Sequence, residues 1–228
     1  MIAPAPMALA DFAGRTGRGV RIAVVDSGVH AAHPHVGGVS GGIAFDADGR
    51  EHEDVVDRLG HGTAVAAAIR EKAPEAEILA VKVFDRSLSA TGTALVRAIE
   101  WAAAHGAALV NLSLGTTNDR HRAALAEAVA RASAAGAIVI AAAPEPSANW
   151  LPGALPGVVA VEVDWDCPRD ACRVSTDGLR LRASGYPRPI PGVAPERNLK
   201  GLSFAVANAT GLLALALDGC SDRMRTPR

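Results

Sequence analysis

Three short glycine-flanked segments of this 228-residue chain each carry one residue able to take part in proton and acyl transfer: Asp26 in Val25-Asp26-Ser27-Gly28, His61 in Gly60-His61-Gly62-Thr63 and Ser203 in Gly201-Leu202-Ser203-Phe204-Ala205. A serine hydroxyl is a poor nucleophile near neutrality. Acyl transfer from it needs a base within hydrogen-bond reach, and an imidazole of pKa about 6.5 can both take and return the proton. An ionised carboxylate fixes the imidazole tautomer and stabilises its cation. The parts are therefore a nucleophile in Ser203, a base in His61 and an orienting acid in Asp26, with the Ser203 backbone N–H at a helix start available to a developing oxyanion. Taken singly, each has an ordinary reading: Asp26 as a turn residue, His61 as a helix cap, Ser203 as an N-cap serine. Only their combination points to chemistry.

The elements that must position these residues follow from periodicity. Continuous apolar runs at Val20 to Val25, Ile78 to Phe84, Ala108 to Leu112, Ala137 to Ala142 and Val158 to Val163 suit parallel strands buried on both faces. Helical patterns fall between and after them, at His61 to Glu71, Thr93 to His105, Arg120 to Ala135 and Phe204 to Leu217. Strand alternating with helix predicts an α/β fold: a doubly wound, mostly parallel central sheet flanked by helices on both faces. Such sheets bind ligands beyond the carboxyl ends of their strands. Asp26, Ser113-Leu114-Gly115 and Ala143-Pro144-Glu145 all follow strands, which places them on one rim.

The motifs also resemble, in order, those of the subtilisin-like serine peptidases, whose chain order is Asp, His, Ser. RIAVVDSGVHAAHP is similar to the family's first core strand with its acid, and GHGTAVAAAI to its histidine helix. AIEWAAAHGAALVNLSLG is similar to its helix, strand and substrate-pairing segment, AIVIAAA with LPGALPGVVAV to two further strands, and GLSFAVANATG to its nucleophile helix. The likeness runs from about Gly19 to about Leu217. It implies a three-layer subtilisin-like domain over 19–218, a lead over 1–18 and a tail over 219–228. It also implies a serine endopeptidase that works through Asp26, His61, Ser203 and an acyl-enzyme. An extended peptide would pair between Leu88-Ser89-Ala90 and Ser113-Leu114-Gly115. Ala141, Ala142 and Ala143 would line the first specificity pocket, with room for a sizeable apolar side chain. The alternative for 87–92 is a polar turn leading into a helix, and His33-Pro34-His35 resembles a structural loop of the family.

The chain departs from the family after AIVIAAA. The family continues there into Gly-Asn, whose Asn donates the second oxyanion hydrogen bond, whereas this chain has Pro144-Glu145. Losing that donor in a subtilisin costs about 10²–10³ in turnover. A protonated Glu145, the amide of Asn149 or a loop ordered by substrate or partner could replace it; otherwise nothing does. Near the nucleophile, Leu202, Ala207 and Asn208 stand where the family has Thr, Pro and His. Besides an endopeptidase that cuts one leader or precursor peptide, two readings stay open: a silent peptide-binding or partner subunit, and a peptide cyclase or ligase.

Composition bounds the rest. A hydrophobic content of 49% in 228 residues supports a single substantial core. The net charge of −1 gives no basic footprint for nucleic acid, and no run is long and apolar enough to span a bilayer. The expected partner is a peptide or protein substrate in extended conformation, with a partner protein of a processing pathway as a further possibility. The N-terminus lacks a basic start followed by an apolar run, so a cytoplasmic address is expected. The odd set Cys167, Cys172 and Cys220 reads as free thiols in a reducing compartment, or as a 167–172 loop closure in an oxidising one. The acidic stretch from Asp46 to Asp57 reads as a solvated loop, with a calcium site or an acidic lip as the functional alternatives. No recognisable calcium loop is present, so no metal or cofactor is expected. From Cys167 on, a hairpin is predicted around Asp177-Gly178, followed by a Pro-rich connection to the nucleophile.

Overall fold

The computed structural model describes residues 6–144 and 149–219. Ten strands form one sheet in the order β1-β9-β10-β8-β7-β6-β2-β5-β3-β4. The strands are β1 (Pro6–Ala8), β2 (Arg21–Asp26), β3 (Gly41–Phe45), β4 (Glu51–His52), β5 (Glu77–Lys82), β6 (Leu109–Leu112), β7 (Ile138–Ala142), β8 (Val159–Val163), β9 (Ala171–Val174) and β10 (Arg180–Ala183). The run β10-β8-β7-β6-β2-β5-β3 is parallel throughout, and antiparallel pairs occur at its two ends. The helices are α1 (His61–Lys72), α2 (Gly92–Ala104), α3 (Arg122–Ala134) and α4 (Leu202–Leu217).

Strand alternation divides the core into two layers. Ala23 and Val25 of β2 pack with α2 and α3 on one face of the sheet. Ile22 and Val24 pack with α1 and α4 on the other. Because β2 lies between β5 and β6 and is covered on both sides, it is apolar at both parities, the pattern of a central parallel strand. This is the three-layer α/β arrangement the sequence predicts.

Three differences from expectation have local causes. The lead before residue 19 carries a strand: β1 pairs with β9, and the Leu9 N–H donates to the Asp170 carbonyl at 2.7 Å. The lead also ties to the end of α4, where Asp218 accepts from the Thr16 and Gly17 N–H groups and Arg15 donates to the Leu215 and Ala216 carbonyls. The acidic stretch is partly ordered as β4 and the turn before it, where Asp46 accepts from the Asp48 and Arg50 N–H groups. The helix expected from Arg120 begins at Arg122, because the Asn118 side chain accepts from the Arg120 N–H and opens a short 3-10 turn. The hairpin around Asp177-Gly178 is present as β9 and β10.

Candidate active site

Asp26 closes β2 and is fully buried. Its Oδ1 accepts from the Ser27 N–H and lies 2.7 Å from Nδ1 of His61, the first residue of α1. The helix can come this close because residue 62 is glycine: a Cβ there would stand 2.2 Å from the Gly28 carbonyl oxygen and 3.1 Å from the Asp26 Cβ. Burial acts to lower the His61 pKa, but the hydrogen bond and charge of Asp26, with the charge of Asp57, outweigh it and raise the pKa above its ordinary value. A raised imidazole pKa means the cation formed during proton transfer is stabilised.

Asp57 is the residue that sequence reasoning missed, because it was counted only as one acid in a charged stretch. Its Oδ1 accepts from the Ser27 hydroxyl and the Leu59 and Gly60 N–H groups, and its Oδ2 from the Thr63 N–H and hydroxyl. The Ser27 oxygen accepts in turn from the Gly62 N–H. One carboxylate thus satisfies the free donors around the start of α1 and ties that turn to the residue after Asp26. Burial opposes its charge, but the hydrogen bonds from Thr63, Ser27 and Leu59 prevail and hold its pKa below the usual carboxylate range. Its position four residues before a Gly-flanked histidine at a helix start was the available signal. Asp57→Ala is expected to destabilise the fold by about 2–3 kcal/mol, the scale of a lost cap plus a charged hydrogen bond. Urea unfolding at neutral pH measures it.

Ser203 is the second residue of α4, at the helix end whose partial positive charge favours an anion. Gly201 sets up this start with φ 150°, a backbone conformation that side-chain-bearing residues rarely adopt, and its N–H donates to the Gly185 carbonyl at 2.8 Å. The Phe204 ring lies 5.7 Å from the His61 ring, so the α1 and α4 starts adjoin. The Ser203 hydroxyl donates to the Ser113 carbonyl at 3.1 Å, and among the described residues no hydrogen bond joins it to His61. Hydrogen bonds between nucleophile and base are commonly long or absent until substrate arrives.

Behind Ser113 runs a buried polar chain that sequence reasoning also overlooked. The Thr210 hydroxyl donates to Asn111 Oδ1, and Asn111 Nδ2 donates to the Ser113 hydroxyl. Asn111 is fully buried in β6. A polar residue inside a strand buried on both faces must find partners, and here it locks the segment after β6 to α4.

Leu88-Ser89-Ala90 follows β5 and Ser113-Leu114-Gly115 follows β6, on the two neighbours of β2. Leu88 is exposed, and among the described residues the backbones of 88–90, Leu114 and Gly115 make no hydrogen bond. Ala142 ends β7 and is buried. Beside it, Gly153 packs against the Ala142 carbonyl, and the Trp150 ring lies over the open face of Gly115. Trp150 adds bulk at this rim that a reading of the alanines alone does not count. Asn149 is exposed, and Glu145 lies outside the described residues.

The remaining candidates resolve locally. Cys167 and Cys172 are free and buried; burial raises both thiol pKa values, that of Cys172 to about 12. Cys220 lies outside the described residues. Asn208, buried in α4, donates to the Ser184 and Tyr186 carbonyls and so holds the segment that leads to Ser203. Among the described residues no helix is long and apolar enough to cross a membrane, and no group of three or more His, Cys, Asp or Glu side chains is placed to hold a metal ion.

A buried carboxylate–imidazole pair at the carboxyl rim of a three-layer α/β sheet, beside a helix-mounted serine, is an arrangement suited to nucleophilic acyl transfer. Comparison with known proteins agrees: the Subtilase family profile matches residues 17–160, and the chain belongs to that family. It is 30% identical over 227 residues to Subtilisin DY of Bacillus licheniformis, covering 90% of this chain and 78% of that protein. It is 32% identical over 225 residues to the thermostable alkaline protease of Halalkalibacterium halodurans, covering 89% of this chain but 58% of that longer protein. Among solved structures, the prenylagaramide maturation protease PagA superposes with a TM-score of 0.70 at 27% identity, covering 96% of this chain and 83% of that one.

Proposed function

We propose that this chain is a serine endopeptidase that hydrolyses peptide bonds through Asp26, His61 and Ser203, and that its substrate is a precursor peptide bound in extended form. The observation that carries the reading is the 2.7 Å contact between buried Asp26 and His61, at a rim where α1 and α4 begin side by side. In this scheme His61 takes the Ser203 proton as the hydroxyl turns from the Ser113 carbonyl to the imidazole. The seryl oxygen attacks the substrate carbonyl, and His61 returns the proton to the leaving amine. Water then repeats the sequence on the acyl-enzyme. The free backbone groups of 88–90 and 114–115 support pairing with an extended peptide. Precursor processing draws support from the likeness to PagA, itself a maturation protease.

Incubation with an unbiased peptide mixture, read by mass spectrometry, tests this reading. Recurrent hydrolysed products are expected. Joined products would indicate a ligase or cyclase instead. Peptide binding without any product would indicate a silent subunit, the reading favoured by the Ser203 hydroxyl resting on Ser113.

For the second oxyanion donor, the exposed amide of Asn149 is the group we assign. Asn149→Ala is expected to lower kcat by about 10²-fold with little change in KM. Steady-state kinetics on one cleaved peptide decides it, and an unchanged kcat removes Asn149 from the mechanism.

A further inference from the structure

A cavity of about 500 Å³ opens beside the start of α1, between the loop that follows β2 and the Pro-rich connection that leads into α4. His30, His33 and His35 line one side, Arg188, Ile190 and Leu199 the other, and the cavity reaches Gly60, the residue before His61. Three features of its wall bear on what it holds. Ile190 and Leu199 are large apolar side chains left 47% and 51% exposed on a segment that ends at the nucleophile. Arg188 is half-buried, yet among the described side chains its guanidinium has no hydrogen bond or ion pair. Its backbone is held in place, because Asn198 Nδ2 donates to the Arg188 carbonyl at 3.3 Å.

Arg188 and Asp57 are the two ionised side chains that line the cavity, and of the two only Arg188 is without a partner among the described side chains. A guanidinium stays ionised at any working pH. The one lining carboxylate, Asp57, is committed to five donors, from Ser27 after β2, from its own loop and from α1. Burial, then Arg188 and His33, push the His35 pKa down against the opposing charge of Glu71. Glu71 lines the adjoining hollow with Arg188 but is paired with Arg169 and Lys72.

The side of the scissile bond follows from the chemistry. The group that returns a proton to the leaving amine must touch it, so the departing chain passes over His61. The free-backbone segments 88–90 and 114–115, which follow β5 and β6, serve the acyl half. The cavity beside Gly60 faces the other half.

We infer that this cavity seats the part of the substrate that follows the scissile bond, and that it selects a segment with an acidic side chain next to an apolar one. The carboxylate pairs with Arg188 and the apolar side chain covers Ile190 and Leu199. This inference rests on the peptidase reading above.

The test uses peptides identical up to a cleaved bond and carrying Glu, Gln or Lys in the three residues after it. With the full chain, kcat/KM is expected to be about tenfold higher for Glu than for Lys. The preference should vanish in Arg188→Ala and invert in Arg188→Glu, whose folding is checked by thermal melting. Equal rates for Glu and Lys, or a preference that Arg188→Glu leaves unmoved, would overturn the inference while the peptidase reading stands. Should no peptide be cut, the same peptides, fluorescently labelled, are titrated into Ser203→Ala. A Glu preference in binding that depends on Arg188 would then support the seat and sink the peptidase; no such preference would sink both.

Discussion

Ser203→Ala is expected to abolish labelling by a fluorophosphonate probe and to cut peptide turnover by about 10⁶-fold, the scale found when this serine is removed from a subtilisin. The size of the effect comes from losing the covalent route altogether. Water held near His61 has no tethered oxygen to replace, and binding with the remaining oxyanion donors leaves only residual catalysis. The substitution should be structurally quiet. Ser203 is the second residue of α4, among the described residues its side chain makes one hydrogen bond, to the Ser113 carbonyl, and alanine favours helix. An unchanged thermal midpoint with total loss of labelling is therefore the expected pair of results. A probe that still labels Ser203→Ala would place the nucleophile elsewhere and end the scheme.

Asp26→Asn is expected to lower turnover by about 10⁴-fold, because an amide beside Nδ1 favours the wrong tautomer and cannot stabilise the imidazolium. The pH profile carries the second signature. In the native protein the Asp26 hydrogen bond and charge help to raise the His61 pKa against its burial. Catalysis needs the neutral imidazole, so activity should rise with pH through a midpoint above the ordinary histidine value near 6.5. With the carboxylate gone, burial is opposed only by Asp57, and the midpoint of the acid limb should move to lower pH. For stability the sign is opposite. A group whose pKa is raised on folding contributes most below its unfolded value, and this contribution fades as pH rises through the folded value. The native chain should therefore gain activity over the same window in which it loses the His61 share of its stability. Kinetics and urea melts across that window read the two effects separately, and an acid limb unmoved by Asp26→Asn would break the link.

Much of this was legible in the chain itself. The central strands could be read because a strand buried on both faces is apolar without interruption, and Asp26 stood out as the charge that ends one. The short outer strands could not. Pro6–Ala8 has three residues, Glu51–His52 has two, both exposed, and Gly41–Phe45 opens with two glycines, so none has a run long enough to show a period. Roles that depend on geometry were also hidden. Asp57 looks like its acidic neighbours until α1 is seen to begin against it. Asn111 hinted at its part as a polar residue in an apolar strand, but Thr210 lies 99 positions away. Contacts at that separation exist only once the sheet has assembled.

The clasp between Arg15, Thr16 and Gly17 and the last turn of α4 anchors the far end of the helix that begins beside His61. The 16 residues of α4 put that end about 24 Å along its axis from the leucine before Ser203. A substitution that loosens the clasp therefore acts on the footing of the helix and touches none of the groups around Ser203 directly.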